Sequence, residues 1–358
     1  MTKKQRTIRY GVVGLGHIAQ VAVIPAFAHA RRNSQLVAIV SGDRIKRREV
    51  ARQYRMNHAF TYEEFDECLR VVDAVYIALP NSMHAEYAIR AARAGVHVLC
   101  EKPMAVTVEE CRQMISACRK AKVKLMIAYR LHFEALNLAA IDIARSGQLG
   151  VLKFFNSSFS MTVRQGDIRT KRAFGGGTLY DIGVYCINAA RNLFRAEPTH
   201  VSAVSINSGL ASLSEIDETT AATLRFGNDR VATFITSFNA ADVAEYRIVG
   251  TKGHLHADPA YEYAEGLEYS LTINGKTTRK KFGKHDQFAP PNYCISRIAS
   301  STVESQSPRV KGTGCRARGQ IDHARQSLSA SVCVPNGIRS GCPSRTGATP
   351  EPAPPMTC

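Results

Sequence analysis

The most constraining feature of the chain lies near its start. A short apolar run at residues 8 to 13, Ile-Arg-Tyr-Gly-Val-Val, meets Gly14-Leu15-Gly16-His17-Ile18-Ala19 and passes into a helical pattern reaching about Arg31. A strand, a Gly-x-Gly-x-x-Ala turn and a helix in that order suit the pyrophosphate of a dinucleotide. Gly14 lets the chain turn, Gly16 lets the backbone approach the anion, and Ala19 lets helix and strand pack closely. The free amides and dipole of the helix start supply the attraction. Alone, such a turn is weak evidence, because other doubly wound proteins use structural turns of the same composition.

Its setting strengthens the reading. Apolar strands follow at 36–40, 73–79, 96–99 and 124–128, the one at 73–79 ended by Pro80. Helical segments separate them at 45–54, at 84–94 with Gly95 as its stop, and at 108–121 with Thr107 as its cap. Five short strands alternating with helices predict a parallel sheet covered on both faces, an N-terminal Rossmann domain in an α/β chain. After Tyr129 the pattern changes. A helix over 133–145, an alternating strand over 152–162, and a helix opening at Gly175-Gly176-Gly177-Thr178 precede a series of short strands from Val201. These are separated by turns, with Asn274-Gly275 as a hairpin signal, so the C-terminal domain is expected to be α+β with a large, mostly antiparallel sheet. The expected boundaries are 6–128 for the dinucleotide domain and 129–298 for a substrate-binding and oligomerisation domain. The stretch 299–358, rich in Ser, Pro, Gly and Cys and without aromatics, is expected to be a largely disordered tail.

Composition bounds the rest. The chain has 358 residues, 45% hydrophobic and 22% charged, enough for two packed cores. The first residues lack the apolar stretch of a signal peptide, and nothing resembles the ~20 apolar residues of a membrane span, so a cytoplasmic address with no membrane partner is expected. A net charge of +17 invites nucleic acid, yet in the first third the basic residues stand singly on helix faces. A basic surface of that kind also concentrates small anionic molecules, and no nucleic-acid partner is expected. Cys68, Cys100, Cys111, Cys118, Cys186 and Cys294 lie within regular elements with no Cys-x-x-Cys spacing, which predicts reduced thiols and no metal site.

The end of the second strand bears on cofactor choice. NAD-specific sites place an acidic side chain there for the ribose hydroxyls, whereas this strand ends Val40-Ser41-Gly42 before Asp43, with Arg44, Lys46 and Arg47 close by. Ser41 and Gly42 leave room for a 2'-phosphate that Lys46 would neutralise. NADP is therefore expected, with NAD retained in case Asp43 turns inward. The expectation is that Asp43 instead caps the following helix.

Four collinear stretches carry a family resemblance. They are residues 11–19, Pro80-Asn81-Ser82-Met83-His84, the run Gly95-Val96-His97-Val98-Leu99-Cys100-Glu101-Lys102-Pro103, and Gly175 to Tyr185. On them the chain resembles, over roughly residues 6 to 298, the Gfo/Idh/MocA oxidoreductases, which mostly transfer hydride to or from a sugar, cyclitol or related alcohol. The resemblance implies that Lys102 is the active-site lysine, where it would stabilise a developing alkoxide. It also implies that Asp181 and Tyr185, one helical turn apart, share its cleft. Many members carry histidine four residues after the aspartate. Tyr185 in that place resembles the glucose-fructose oxidoreductase-like branch. A phenol, with its ordinary pKa near ~10, needs a neighbouring cation to be useful near neutrality. Lys102, Asp181 and Tyr185 are thus the catalytic candidates.

Cofactor contacts are expected from Gly14, Leu15, Gly16, His17, Ile18, Ser41, Gly42, Lys46, Leu79, Pro80, Asn81, His84, Glu101, Lys102 and Arg130. Substrate contacts are expected from Lys102, Arg130, His132, Asp181 and Tyr185, and a homodimer or homotetramer is implied through the open sheet. The expected activity is an NADP(H)-dependent sugar or polyol oxidoreductase. Two alternatives stand beside it: a member that uses bound nicotinamide for non-redox chemistry such as glycoside cleavage, and a catalytically silent dinucleotide-binding regulator. The resemblance also implies a further helix and ordered chain after Gln287-Phe288-Ala289-Pro290, from which the composition after 299 departs, as a shifted reading frame would make it do.

Overall fold

The computed structural model describes residues 7–292 and 295–296; the expectations for Cys294 and the stretch 299–358 lie outside them. The first sheet is parallel and six-stranded, in the order β3-β2-β1-β4-β5-β6. Its strands are β1 (Ile8–Val13), β2 (Ser34–Val40), β3 (His58–Phe60), β4 (Ala74–Ile77), β5 (His97–Cys100) and β6 (Leu125–Ile127). Central strand β4 is buried at every position, as helices on both faces require. The sequence reading missed β3, an edge strand of only three residues whose first two are exposed, and which therefore leaves no apolar run.

The helices of this half follow the expected caps. Asp43 accepts from the amides of Ile45 and Lys46 at the start of α2 (Arg44–Gln53). Thr107 and Glu110 form a reciprocal capping box at the start of α5 (Val108–Lys120). Between them lie α3 (Phe65–Val71) and α4 (His84–Arg93). The helix after the glycine turn is shorter than its apolar pattern suggested: a π-helical turn, Ala19–Val23, leads into α1 (Ile24–Ala26), and hydrogen-bonded turns carry the chain to Asn33.

Register decides where function can sit. Val40, Val13, Ile77, Cys100 and Ile127 lie side by side across the sheet. The loops that begin at Ser41, Gly14, Ala78, Glu101 and Ala128 therefore leave at one edge, and strand order reverses between β1 and β4, the usual position of a ligand crevice.

The second sheet has eight strands in the order β14-β13-β12-β11-β7-β10-β9-β8. They are β7 (Leu152–Ser160), β8 (Pro198–Ile206), β9 (Thr219–Phe226), β10 (Arg230–Ser237), β11 (Val243–Gly250), β12 (Gly253–Ala257), β13 (Leu267–Ile273) and β14 (Lys276–Phe282). All neighbours are antiparallel except β7 and β10. Helices α6 (Ala135–Arg145) and α7 (Val184–Phe194) lie with the core, and α7 packs on β7 and β10. Phe155, Ala232 and Phe234 are buried, whereas Phe154, Val231 and Ile235, which point the other way, are exposed. β14, Lys-Thr-Thr-Arg-Lys-Lys-Phe, protects one end of the sheet with charge instead of a neighbour.

The chain then returns to the first sheet. Phe288, Ala289 and Ile295 join Tyr10, Val12, Tyr76 and Leu99 in one apolar cluster, and the Tyr10 hydroxyl lies 2.7 Å from Ser296 Oγ. Cys68, Cys100, Cys118 and Cys186 are buried free thiols, and burial pushes the Cys68, Cys118 and Cys186 thiols up to about 12. Cys111 corrects the expectation of a reduced thiol, being disulfide-bonded.

Candidate active site

The glycine turn has the shape its sequence implied. Gly14 adopts φ +96°, and a Cβ on it would stand 2.5 Å from the Ala78 carbonyl oxygen, so both its conformation and its closeness to the next strand require glycine. A Cβ on Gly16 would meet nothing within 4 Å, which leaves backbone open to a ligand, while Ala19 is fully buried. Leu15 is buried, Ile18 half-buried and His17 exposed. The residues present therefore fit a dinucleotide pyrophosphate.

At the end of β2 the Asp43 carboxylate is turned outward, fixed by the two helix amides at 3.0 Å each. Ser41 is buried and its hydroxyl accepts from the Asp43 amide. Gly42 serves differently from the expectation: the space a side chain would fill is taken by the Tyr62 ring, 3.1 Å from an ideal Cβ. Lys46 Nζ lies 3.2 Å from Asp43 Oδ2, and Arg47 donates to the Ser41 carbonyl at 2.6 Å. Arg47, named in the sequence as a nearby cation but not as the phosphate partner, is thus the cation tied most closely to the strand end.

The loops after β4 and β5 are braced against each other. His84 is fully buried, with Nε2 2.9 Å from the Leu79 carbonyl and Nδ1 2.9 Å from the Pro103 carbonyl. Two carbonyl acceptors favour a proton on both nitrogens, yet burial outweighs them, helped by the Lys102 charge, and the imidazole pKa is lowered. His84 was expected beside the cofactor; both of its nitrogens are instead committed to tying Leu79 to Pro103. Beyond Pro80, Asn81 donates to the Gly175 carbonyl at 2.8 Å and links this loop to the glycine-rich stretch. Glu101, also expected beside the cofactor, is buried, accepts from the Tyr76 hydroxyl at 2.6 Å and from the Lys102 amide, and has its pKa raised by burial.

Lys102 emerges from this braced loop. Its ammonium donates to both the main-chain and Oδ1 oxygens of Asp181, each at 2.8 Å, and stands 4.8 Å from the centre of the Tyr185 ring. Both members of the ion pair are largely enclosed, Lys102 at 13% and Asp181 at 18% side-chain exposure. Burial opposes both charges, but each is outweighed: Asp181, Tyr185 and Glu101 raise the lysine pKa, while Lys102 and Arg169 lower that of the aspartate. A π-helical turn, Leu179–Gly183, ahead of α7 places Asp181 and Tyr185 on the same side. The three residues singled out by motif are therefore brought together.

Arg130 differs from its expected role. It is buried, donates to Gln287 Oε1 and to the carbonyls of Tyr261 and Glu262, and its face covers the rings of Tyr185 and Tyr263 at 5.2 Å each. With these donors engaged inside the protein, it clamps the returning chain and supports Tyr185. His132 lies in the same 3-10 turn, Arg130–Phe133, and lines a small cavity with Tyr185, Asn188 and Tyr246. Burial lowers its pKa to about 4 against a bond to Asn188. Sequence reasoning also missed Arg169, whose Nε lies 2.8 Å from Asp181 Oδ2. Its signal was available only as one basic residue among several in a loop.

A glycine-turn dinucleotide crevice facing a buried lysine–aspartate pair defines a nucleotide-dependent oxidoreductase class. Comparison with known proteins makes this specific. The model described as "Oxidoreductase family, NAD-binding Rossmann fold" matches residues 8–129, and that of the "GFO/IDH/MocA C-terminal domain" matches 138–256. The chain belongs to the Gfo/Idh/MocA oxidoreductase family. It is 37% identical over 248 residues to an uncharacterized oxidoreductase of Rhizobium meliloti, covering 68% of this chain and 72% of that protein. It is 30% identical over 308 residues to D-xylose 1-dehydrogenase (NADP(+)) 2 of Haloferax volcanii, covering 84% and 91%. Among solved structures it is similar to aldose-aldose oxidoreductase from Caulobacter crescentus complexed with glycerol, at 34% identity and TM-score 0.79, covering 90% and 95%. It is also similar to a 3-ketoreductase from Actinomadura kijaniata complexed with NADP and TDP-benzene, at 26% identity and TM-score 0.75, covering 90% and 94%. Among the described residues no helix is long and apolar enough to cross a membrane.

Proposed function

We propose that the chain is a cytoplasmic NADP(H)-dependent oxidoreductase that transfers hydride between the nicotinamide and a hydroxyl- or carbonyl-bearing carbon of a sugar, polyol or related alcohol. The observation that carries this reading is the Lys102 ammonium, held by two Asp181 oxygens and lying over the Tyr185 ring. When bound, the dinucleotide supplies the acceptor or donor of hydride. Gly14, Leu15, Gly16, His17 and Ile18 would hold its pyrophosphate, and Leu79, Pro80 and Asn81 would border it. Residues 6–128 would carry the cofactor, and 129–298 the far wall of the substrate cleft.

In the oxidation direction the substrate C–H bond gives up hydride, its O–H bond gives up a proton, and a C=O bond forms. Lys102 is a poor proton acceptor because its neighbours hold it charged. That role falls to the Tyr185 oxygen, while Lys102 stabilises the developing alkoxide and Asp181 fixes the ammonium in place. The reduction runs the same bonds backwards, with Tyr185 returning the proton. A sugar or polyol as substrate is supported by the names of the D-xylose and aldose relatives.

The preference for NADP rests on three supports: the relatives named with NADP, the outward Asp43, and the cations Lys46 and Arg47 around Ser41. A charge-assisted bond from Lys46 to a 2'-phosphate is worth ~1.5–3 kcal/mol, roughly 10- to 150-fold in affinity. Releasing Lys46 from the exposed Asp43 pair costs little against that. Titration with NADPH and NADH, followed by nicotinamide fluorescence, tests the reading. NADPH is expected to bind at least roughly tenfold more tightly, with most of the difference lost in Lys46→Ala. Equal or tighter NADH binding would overturn the preference.

A further inference from the structure

Resting on the oxidoreductase reading of the Lys102 site, we infer that Arg169 is a positioning residue for that reaction: it grips the second oxygen of Asp181 and so leaves the Lys102 ammonium only half neutralised and aimed at the reacting oxygen. The geometry is two-sided. Asp181 Oδ1 accepts from Lys102 at 2.8 Å, and Oδ2 faces Arg169 Nε at 2.8 Å. A carboxylate held at both oxygens cannot rotate without breaking one bond. Lys102 has three N–H bonds; two are occupied by Asp181, and the third remains for the side of the cleft where Tyr185 lies.

The fold builds this grip deliberately. Arg169 sits in a short 3-10 turn, Ile168–Thr170, capped by Asp167, which accepts from its amide at 2.9 Å and from its guanidinium at 3.0 Å. The glycine-rich stretch is the platform beneath it. Gly177 donates to the Arg169 carbonyl at 2.9 Å, and a Cβ on Gly176 would stand 2.3 Å from that same oxygen. The Gly175-Gly176-Gly177 run thus admits the turn that delivers a second cation to Asp181, and its last residue also anchors the aspartate, Asp181 N donating to Gly177 O at 3.1 Å.

Charge balance gives the consequence. With Lys102 alone, the ammonium and carboxylate would form a closed neutral pair, poorly suited to attract an alkoxide. Arg169 adds a positive charge that competes with Lys102 for the Asp181 carboxylate; with Asp167 on Arg169 the four groups are neutral overall, so the effect lies in Lys102 sharing its counter-ion next to the Tyr185 ring. The charged or titratable groups facing this set are Asp167 on Arg169, and Glu101, Tyr185, His84 and Tyr129 around Lys102. Asp181 is kept ionised by Lys102 and Arg169 acting together against its burial. Removing Arg169 therefore raises the pH at which Asp181 loses its charge.

The test compares Arg169→Met and Arg169→Lys with the unaltered full chain. Arg169→Met is expected to lower kcat by roughly tenfold or more with NADPH affinity unchanged, and the acidic limb of its kcat–pH profile moves to higher pH. Arg169→Lys restores part of both, because an ammonium returns the charge without the fork. Unchanged kcat together with an unmoved acidic limb in Arg169→Met overturns the inference. If the unaltered chain transfers no hydride to any sugar, the redox reading fails by itself. Arg169 is then judged by the Asp181 carboxyl titration followed by ¹³C NMR, assigned with Asp181→Asn. A midpoint raised in Arg169→Met supports the grip, and an unchanged midpoint overturns it.

Discussion

At the scale of single residues, the site is organised by pairing buried charges and by committing polar groups internally. Lys102 and Asp181 keep opposite charges in an enclosed cleft because each is the other's main support, with Arg169 as third party. His84 and Arg130 mark the limits of motif reading. Both have the chemistry of cofactor or substrate ligands, and both spend that chemistry on carbonyls of neighbouring loops. Spacing along a chain cannot reveal that an acceptor from a distant segment, such as the Tyr261 carbonyl, has claimed a guanidinium. His132 permits a direct check through pH. Its folded pKa is lowered to about 4 from an ordinary value of 6.5, so the unfolded chain takes up the proton first as pH falls. Its contribution to stability is present above about pH 6.5 and is lost as pH falls through about 4, at most ~3 kcal/mol in all. Thermal melts across that window are expected to fall more steeply for the unaltered chain than for His132→Gln. Parallel curves would show that His132 titrates normally.

Among the elements, those with a strong local signal were legible and those defined by partners were not. β1, the Gly14 turn, β4, β5, α2 with its Asp43 cap and α5 with its Thr107 cap all follow from apolar runs and capping residues. β3 did not, because three residues at a sheet edge carry no periodicity. The first helix was read as longer than it is: an apolar pattern continued beyond Ala26 after the backbone had gone into turns. Asn274-Gly275 signalled its hairpin, although β14 beyond it, nearly all polar and exposed, gave no apolar alternation of its own. The Arg169 turn was the functional element least accessible to sequence. It depends on Gly176 yielding room to, and Gly177 donating to, a loop whose approach only the fold decides.

For the whole molecule, the eight-stranded sheet raises the question of what covers its second face. Phe154, Val204, Ile206, Val231 and Ile235 are exposed on it or along its edge, an apolar patch of the kind that favours association. We propose that a second copy covers it in an isologous pairing. Ile235→Arg is expected to convert a dimer or tetramer to monomer in light scattering without altering the circular-dichroism spectrum. A monomer in the unaltered protein, or an assembly indifferent to Ile235→Arg, would remove this face as the interface. The two sheets otherwise divide the work of one cleft: the first sheet's loop edge offers the Gly14 turn and Lys102, and the second half brings Asp181, Tyr185 and Arg169 against them. The central claim is that this cleft moves hydride, and it is tested most directly with NADPH carrying deuterium at nicotinamide C4, incubated with a panel of keto-sugars, lactones and aldoses. The account predicts deuterium on a carbon of the reduced product for the unaltered chain. It predicts a loss of roughly 10²- to 10⁴-fold in the transfer rate for Lys102→Met, with cofactor affinity preserved. Tight NADPH binding without deuterium transfer to any member of the panel, or transfer undiminished in a folded Lys102→Met chain, would contradict it.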